Sequence, residues 1–177
     1  MSRPEFKSQP PDMKKELVYE GPIFNLAKVE VAPGVTYDMV DHPGAVVILP
    51  VKENGDFVLI KQYRPLIEET LISCPAGLID NGENALDAAI RELKEETGYT
   101  AQAIMPMTYY YSSCGMTNEK ITVFLATELA PGEQELDDDE KIEVVEIPRE
   151  EALRMIRDFE IRQSHDIVAI LFAEKFM

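Results

Sequence analysis

Residues 77–98 read GLIDNGENALDAAIRELKEETG and contain one helix whose two ends can be recognised. Asn is a residue type that caps helix N-termini, and Gly readily adopts the left-handed conformation that ends helices. Asn84 and Gly98 therefore predict a helix that ends at Thr97. At about 100° per residue, one apolar face is expected to pack on the core. Its members are Leu86, Ala89, Ile90 and Leu93.

Three carboxylates share an adjacent face of this predicted helix, namely those of Glu92, Glu95 and Glu96. A solvated acidic face is the ordinary explanation, although like charges four residues apart destabilise a helix slightly. The alternative is a site for a hard cation such as Mg²⁺ or Mn²⁺, because these ions prefer carboxylate oxygens. Ala85 and Ala88 point the same way, and their small side chains leave room for a ligand.

The residues around the helix favour the cation site. Glu83 precedes the helix and is placed to join the acidic cluster. Arg91 lies among the acids, and its guanidinium can hold carboxylates in fixed positions. The loop at residues 75–77 enters from a strand, so its backbone carbonyl groups can supply a neutral oxygen ligand.

The spacing of these residues resembles the Nudix box in full. Gly77 and Glu83 are separated by five residues; seven more lead to Arg91-Glu92-Leu93, and Glu95-Glu96 and Gly98 complete the pattern. A chance match is on the order of one in a billion per start position. Tyr99 stands where the family usually has an aliphatic residue, at a position that packs rather than ligates.

The resemblance implies an α/β (α+β) fold: a Nudix α/β/α sandwich with a mixed sheet and an additional N-terminal antiparallel sheet. Nudix hydrolases cleave a diphosphate linked to another moiety by attack of water, with a divalent metal ion. Glu92 and Glu96 would then be the main metal ligands, with Glu95 assisting and the Ala76 carbonyl as a further ligand. Arg91 would orient the carboxylates around it.

Further segments resemble the ADP-ribose pyrophosphatase branch of the family. They are HPGAVVILPV at 42–51, QYRP at 62–65, PAG at 75–77 and YYSSCGMTNE at 110–119. The branch implies hydrolysis of ADP-ribose to AMP and ribose 5-phosphate with Mg²⁺ or Mn²⁺. It also implies a domain-exchanged homodimer, with the N-terminal strands, residues 15–41 here, at the dimer interface. The dimer and these strands would together shape the nucleotide pocket.

The same branch suggests residues that bind the substrate. Arg64 would contact the nucleotide or its phosphates, although an exposed loop arginine is the simpler interpretation. Gly115 and Met116 belong to the segment that carries a substrate loop in the branch, and Glu119 would bind the sugar end.

The general base in this branch is a glutamate on a late acidic loop, which corresponds to residues 135–140, ELDDDE. Glu140 is our first choice for the base, and Asp138 is the competing residue. Acidic runs are often only solvated segments, so that interpretation stays open. A base on this loop would reach the attacking water when substrate closes the site.

Two departures from the branch bear on substrate preference. Ser73 stands where ADP-ribose enzymes commonly have Glu, and Cys114 replaces the Pro of a usual Ser-Pro-Gly. The Ser-Cys pair before the PAG turn is similar to GDP-mannose hydrolases of the same fold. GDP-mannose or another nucleotide sugar is therefore the alternative substrate, and a non-catalytic Nudix-like nucleotide-binding regulator is the alternative of another class.

The composition of the whole chain agrees with a small-molecule enzyme. Its 177 residues include 17 Lys and Arg against 33 Asp and Glu, for a net charge of −16. Such a charge disfavours nucleic acid and anionic membranes as partners, because both would be repelled. No secretory signal and no apolar run of about 20 residues is visible, so we expect a cytoplasmic protein.

The polar, Pro-rich residues 1–14 predict a flexible segment. The composition does not change along the rest of the chain, which predicts a single domain at 15–177. Cys74 and Cys114 lack the spacing of a zinc site and are expected to be free thiols. Strands and two further helices are expected on either side of the acidic helix. The strands are expected at 17–19, 23–31, 35–40, 45–51, 56–62, 70–74, 103–111, 120–126 and 142–147. The helices are expected at 149–157 and from after Ser164 to about Lys175.

Overall fold

The computed structural model describes residues 13–136 and 140–176, which contain ten strands and three helices. The strands are β1 (Lys14–Glu20), β2 (Asn25–Ala32), β3 (Val35–Asp41), β4 (Ala45–Pro50), β5 (Phe57–Arg64), β6 (Glu69–Ser73), β7 (Ala76–Leu78), β8 (Thr100–Tyr111), β9 (Lys120–Ala130) and β10 (Ile142–Ile147). The helices are α1 (Ala85–Thr97), α2 (Arg149–Arg157) and α3 (Ser164–Ala173).

The described residues form two compact units, the first of which comprises residues 13–42 and 113–119. Strands β1, β2 and β3 form an antiparallel sheet in that order. The segment 113–119 joins this unit because Val40 pairs with Thr117, and the Val40 N–H donates to the Met116 carbonyl at 2.8 Å. Every residue of β1 is exposed.

The second unit comprises the described residues 43–112, 120–136 and 140–176 and holds two sheets. The order β7-β4-β9-β8 makes a mixed sheet, because β4 runs parallel to β9 while the other pairs are antiparallel. The order β10-β5-β6 makes an antiparallel sheet. This arrangement confirms the predicted α/β class with a mixed sheet and a separate N-terminal antiparallel sheet.

Strand β4 is buried on both faces, as its nearly continuous apolar sequence predicts. Val46 and Ile48 pack in a cluster with Leu93 of α1. Val47 and Leu49 point to the opposite face, because side chains alternate along a strand. There they join a larger cluster that includes buried residues of α2 and α3. Helices therefore cover both faces of the mixed sheet.

The face that helix α1 turns to the sheet matches its predicted apolar face only in part: Ala89 and Leu93 are buried as predicted, at 0% and 1% exposure. Leu86 and Ile90 are 42% and 48% exposed, so their assignment to the core was wrong. Ala88 and Glu96 are buried instead, at 0% and 3% exposure, beside Leu93. Small alanines allow the helix to approach the sheet closely, and Glu96 is enclosed on the same side. Ala88 thus contacts the sheet rather than leaving space for a ligand.

The remaining boundaries agree with the sequence to within a few residues, apart from the short strand β7, which was not predicted. The Asn84 side chain accepts hydrogen bonds from the N–H groups of Leu86 and Asp87, and Gly98 ends α1 with φ at 75°. Strand β1 begins at Lys14, inside the segment predicted to be flexible; residues 1–12 lie outside the described residues. Cys74 is buried and Cys114 is exposed, both as free thiols.

No helix within the described residues is long and apolar enough to cross a membrane.

Candidate active site

Arg91 organises the acidic residues on α1 and on the loop before it. Its Nε and Nη2 donate to the two carboxylate oxygens of Glu83 at 3.1 and 3.0 Å. Its Nη1 donates to Glu92 at 2.7 Å and to Glu95 at 3.0 Å. A second bond from Nη2 reaches the Leu78 carbonyl at 2.9 Å. All five N–H groups of the guanidinium are therefore used.

These contacts shift the ionisation of both partners toward the charged form. The hydrogen bonds from Arg91 hold the pKa of Glu83 below its usual value. The same bonds raise the pKa of Arg91 itself, with Glu83 as the main cause. Glu83 also accepts the Asp80 N–H at 3.1 Å, so its carboxylate shapes the loop that leads into α1.

Glu92 and Glu96 lie one helical turn apart and are the most enclosed of the box carboxylates. The Ala76 N–H donates to Glu96 Oε2 at 2.8 Å. The Glu92 carboxylate lies directly against Gly77, where the Cβ of any larger residue would overlap it. The glycine that begins the motif thus leaves free the space that the Glu92 carboxylate occupies.

Burial and like charges make this pair reluctant to ionise. Desolvation raises the pKa of Glu92, although its bond to Arg91 opposes the shift. Desolvation, together with the charges of Glu92 and Glu140, raises the pKa of Glu96 to about 8. A cation beside these carboxylates would favour their charged forms.

The donor set of this pair fits a hard divalent cation. One oxygen of each carboxylate is engaged by Arg91 or Ala76, whereas Glu92 Oε2 and Glu96 Oε1 accept no hydrogen bond from the described residues. Oxygen donors of this kind suit Mg²⁺ and Mn²⁺. Across 13–136 and 140–176, no three His, Cys, Asp or Glu side chains are arranged as a complete metal site.

The acidic segment after β9 is attached to the C-terminal end of α1. The Glu135 N–H donates to the Glu95 carbonyl at 3.0 Å, and Gln134 Nε2 donates to the Glu96 carbonyl at 2.6 Å. Lys94 also donates to the Glu133 carbonyl. The last turn of α1 thereby holds the start of this segment, whose later part contains Glu140.

Glu140, the first choice for the general base, lies close enough to raise the pKa values of both Glu92 and Glu96. The structure therefore brings it into the neighbourhood of the buried carboxylate pair. Asp138, the competing choice, lies outside the described residues.

Arg64 stands at the end of β5, half-buried. Burial raises the pKa values of Glu96 and Asp166, and the charge of Arg64 opposes this rise. Its Nε is buried and has no hydrogen-bond partner among the described residues. An arginine in this position is not a freely solvated loop residue, and it brings positive charge to a cluster of acids.

The other predicted substrate residues, Gly115, Met116 and Glu119, belong to the first compact unit. There the Glu119 carboxylate lies 3.7 Å from Nε2 of His42. Their part in substrate binding stays a prediction.

Sequence reasoning missed three contributors to this region: the Leu78 carbonyl, Gln134 and Asp166. The first is a backbone atom that any residue could supply. The two side chains lie 38 and 92 positions from the groups that they bind, the Glu96 carbonyl and the Cys74 N–H. No local spacing signals contacts of that kind.

Comparisons with known proteins agree with this site. A family model described as the NUDIX domain matches residues 41–167. The chain is 38% identical to an ADP-ribose pyrophosphatase of Bacillus subtilis (strain 168) over 166 residues, which cover 90% of each protein. It is 35% identical to a GDP-mannose pyrophosphatase of Yersinia enterocolitica over 141 residues, which cover 74% of this chain and 73% of that protein.

A solved structure titled as an ADP compounds hydrolase superposes with a TM-score of 0.78 at 26% sequence identity. The superposition covers 96% of both chains. The likeness thus extends well beyond the acidic helix.

Proposed function

The chain belongs to the Nudix family of hydrolases, and from this membership we propose that it hydrolyses the diphosphate of ADP-ribose to AMP and ribose 5-phosphate. The observation that carries the proposal is the buried carboxylate pair Glu92 and Glu96, held by Arg91, Gly77 and the Ala76 N–H. The match over 90% of both chains to a protein named ADP-ribose pyrophosphatase supports the choice of substrate.

We propose Mg²⁺ or Mn²⁺ as the cofactor, with Glu92, Glu96 and the Ala76 carbonyl as ligands and Glu95 assisting. When bound, the cation would neutralise the charge of the diphosphate and increase the electrophilicity of phosphorus. Hydrogen bonds from Arg91 would keep Glu92 and Glu95 oriented for the cation. The need for a cation also explains how a chain of charge −16 accepts an anionic substrate.

Glu140 is proposed as the general base. Its carboxylate would take a proton from water as the water oxygen forms a bond to phosphorus and the diphosphate P–O bond breaks. The electrostatic influence of Glu140 on Glu92 and Glu96 supports this assignment. Asp138 remains the competing residue.

Arg64, Gly115, Met116 and Glu119 are proposed to bind the substrate. The buried Nε of Arg64 supports a role for this residue, because a guanidinium beside acids can donate to a phosphate oxygen when substrate arrives. Glu119 is proposed to bind the sugar end.

The experiment that tests this function measures product release from a panel of nucleoside diphosphate compounds, with and without Mg²⁺. We expect AMP and ribose 5-phosphate from ADP-ribose only when Mg²⁺ is present. Glu96→Gln should abolish the metal-dependent rate and leave the folded protein intact, whereas the exposed Glu150→Gln serves as a matched control and should behave as wild type. Normal turnover by Glu96→Gln would refute the assignment of the metal site.

The general base is tested separately with Glu140→Gln. Loss of a positioned base should lower kcat by about 10²–10⁴-fold while metal binding persists. An unchanged kcat together with an inactive Asp138→Asn would transfer the role to Asp138.

GDP-mannose is the second candidate substrate, and Ser73 is the residue that favours it. Ser73 is 1% exposed at the end of β6, where ADP-ribose enzymes commonly carry Glu. The similarity to a GDP-mannose pyrophosphatase agrees with this candidate. A higher kcat/KM for GDP-mannose than for ADP-ribose in the same panel would establish it.

We also propose that the protein is a homodimer. Strand β1 exposes Leu17, Val18 and Tyr19, each more than half exposed, at the edge of its sheet. Exposed apolar side chains on a sheet edge favour association with another chain. A second copy of this chain would bury them.

A further inference from the structure

The segment at residues 74–76, which leads into the proposed metal site, is held between two buried carboxylates. The Cys74 N–H donates to Asp166 Oδ1 at 2.8 Å, and the Ala76 N–H donates to Glu96 Oε2 at 2.8 Å. Pro75 between them has no N–H, and its carbonyl accepts the Ile48 N–H at 2.9 Å. The segment is thus attached to α3, to α1 and to β4 over three consecutive residues.

Asp166 is the part of this arrangement that the proposed function does not use. It is the third residue of α3 and is 0% exposed. Gln163 Nε2 donates to its other oxygen, Oδ2, at 3.1 Å, and His165 Nε2 lies 3.5 Å from Oδ1. A carboxylate is costly to bury, so complete burial requires compensating hydrogen bonds.

The buried environment of Asp166 disfavours the charged form of its carboxyl group. Desolvation raises its pKa to about 7, while the Cys74 N–H, Gln163 and the charge of Arg64 act in the opposite direction. Arg64 lowers the pKa of Glu96 as well, so the two buried carboxylates share one cationic neighbour. An apolar residue at position 166 would avoid the desolvation but would leave the buried Cys74 N–H without its acceptor, which is unfavourable.

We propose that Asp166 is a positioning residue of the active site: it holds Cys74, and through the rigid Pro75 the Ala76 peptide group that contacts Glu96. Without it Cys74 loses its backbone hydrogen bond between the strand pairs at Ser73 and Ala76, so the link between these two pairs loosens. Metal affinity then falls because Ala76 and Glu96 no longer keep one arrangement. The inference rests on the proposed function, since it concerns the same metal site.

Three variants separate positioning from stability. Asp166→Ala removes the acceptor of the Cys74 N–H. Asp166→Asn keeps an oxygen at that place, and the Gln163 amide can rotate to receive the new NH₂ group. Glu174→Gln is the matched control, because Glu174 follows α3 directly and pairs with Arg149 instead of the segment.

The first measurement is Mn²⁺ binding followed by electron paramagnetic resonance, without substrate. We expect Asp166→Ala to weaken Mn²⁺ affinity by about 10–100-fold, the range for residues that orient metal ligands. Asp166→Asn and Glu174→Gln should stay within about three-fold of wild type. Wild-type affinity in Asp166→Ala, or an equal loss in Asp166→Asn, would overturn the inference.

The second measurement is amide hydrogen exchange of peptides that cover residues 73–78 in the metal-free protein. Asp166→Ala should raise exchange there and leave β9 unchanged, while Asp166→Asn should restore protection. This measurement needs no metal, so it separates the role of Asp166 from the proposed metal site. If the wild-type protein protects these amides but does not bind Mn²⁺, the metal site is contradicted. Unchanged exchange in Asp166→Ala would contradict only the role of Asp166.

If Asp166→Ala does not fold, a milder variant tests the same inference. Gln163→Met removes the donor to Oδ2 but leaves Asp166 in place. We expect a smaller loss of Mn²⁺ affinity, about three- to ten-fold, with higher exchange at 73–78. Wild-type values in both measurements would overturn the inference.

Discussion

The planar guanidinium of Arg91 donates hydrogen bonds to three carboxylates and one carbonyl. The number and geometry of its N–H donors therefore matter more than its positive charge alone. Lysine carries the same charge but only three N–H donors from one atom, so it cannot reproduce a fork of five bonds. Arg91→Lys should therefore fold but lose about 10–100-fold in metal affinity or activity. Steady-state rates over a series of Mg²⁺ concentrations measure the loss.

A matched substitution for this test is Arg154→Lys. Arg154 also binds three acids, Glu151, Asp158 and Glu160, but on the surface of α2. It should keep wild-type kinetics. Equal effects of the two substitutions would mean that Arg91 acts only through general stability.

Replacement of Gly77 by alanine, which adds one methyl group, should preserve folding but impair function. The atoms that a Cβ would meet are the carboxylate atoms of Glu92, at the end of a flexible side chain. We expect Gly77→Ala to fold, because Glu92 can move away, and to lose at least about ten-fold in Mn²⁺ affinity, because the moved carboxylate no longer occupies the metal site.

Thermal unfolding and Mn²⁺ titration check this prediction together. A wild-type Mn²⁺ affinity in Gly77→Ala would show that the position of Glu92 against Gly77 is not needed. A lost fold would show that the glycine serves packing alone.

At the scale of the elements, some apolar side chains of α1 are buried and others are exposed to solvent. This difference allows a direct test of the orientation of the helix. Leu93 is 1% exposed against the mixed sheet, whereas Ile90 is 48% exposed. Leu93→Ala should lower the free energy of unfolding by about 2–5 kcal/mol. Ile90→Ala should change it by less than about 0.5 kcal/mol.

Urea denaturation of both variants measures the two values. Ile90→Ala is the matched control, since it also replaces a large aliphatic residue of α1 by alanine. A loss at Ile90 as large as that at Leu93 would indicate that the exposed face of α1 is covered in solution.

The acidic segment is a second element whose attachment can be tested. Gln134 donates from one nitrogen to the Glu96 carbonyl at 2.6 Å and to the Ile142 carbonyl at 3.5 Å, so it links α1 to β10. Gln134→Leu should reduce kcat by about ten-fold, because Glu140 would no longer be held near the site, and should leave Mn²⁺ affinity unchanged.

Glu133→Gln is the control for this segment. Glu133 contributes its backbone carbonyl to Lys94, so its side chain should be replaceable without effect. A loss of metal affinity in Gln134→Leu would place the contribution of Gln134 in α1 instead of the acidic segment.

At the scale of the whole molecule, the exposed strand β1 predicts association. Sedimentation at micromolar concentration should give twice the mass of one 20.0 kDa chain. Leu17→Lys combined with Tyr19→Lys should favour the monomer, because charged side chains on an edge strand oppose pairing. The surface substitution Lys28→Glu on neighbouring β2 is the control for a change of charge. A monomeric wild type would contradict the proposed homodimer.

Much of the fold could be predicted because its signals are local. Asn84 and Gly98 mark the ends of α1 through their own backbone preferences, and the apolar run of β4 indicates burial on both faces. The orientation of α1 could not be predicted in the same way. Periodicity ranks residues by hydrophobicity, and it therefore assigned Leu86 and Ile90 to the core in place of Ala88 and Glu96.

The residues of the candidate site also differ in whether a local sequence signal could predict them. The motif determined which residues belong to it, because Glu83, Arg91, Glu92, Glu95 and Glu96 are close in sequence and recur on one helix and its approach. The long-range partners, Arg64, Gln134, Glu140 and Asp166, reach the same region from other elements. Arg64 and Glu140 were predicted from the family resemblance, whereas the membership of Gln134 and Asp166 depends on how strands and helices pack.

The sequence by itself determined the fold class, the family and the acidic helix, since each is encoded in short spacings and residue types. Only the tertiary structure decided that the acidic face of α1 turns inward and that Asp166 holds Cys74 beside the site. The physical reason is that burial and long-range hydrogen bonds are properties of packed surfaces. A buried carboxylate such as Asp166 looks in sequence like any solvated acid until the groups that surround it are known.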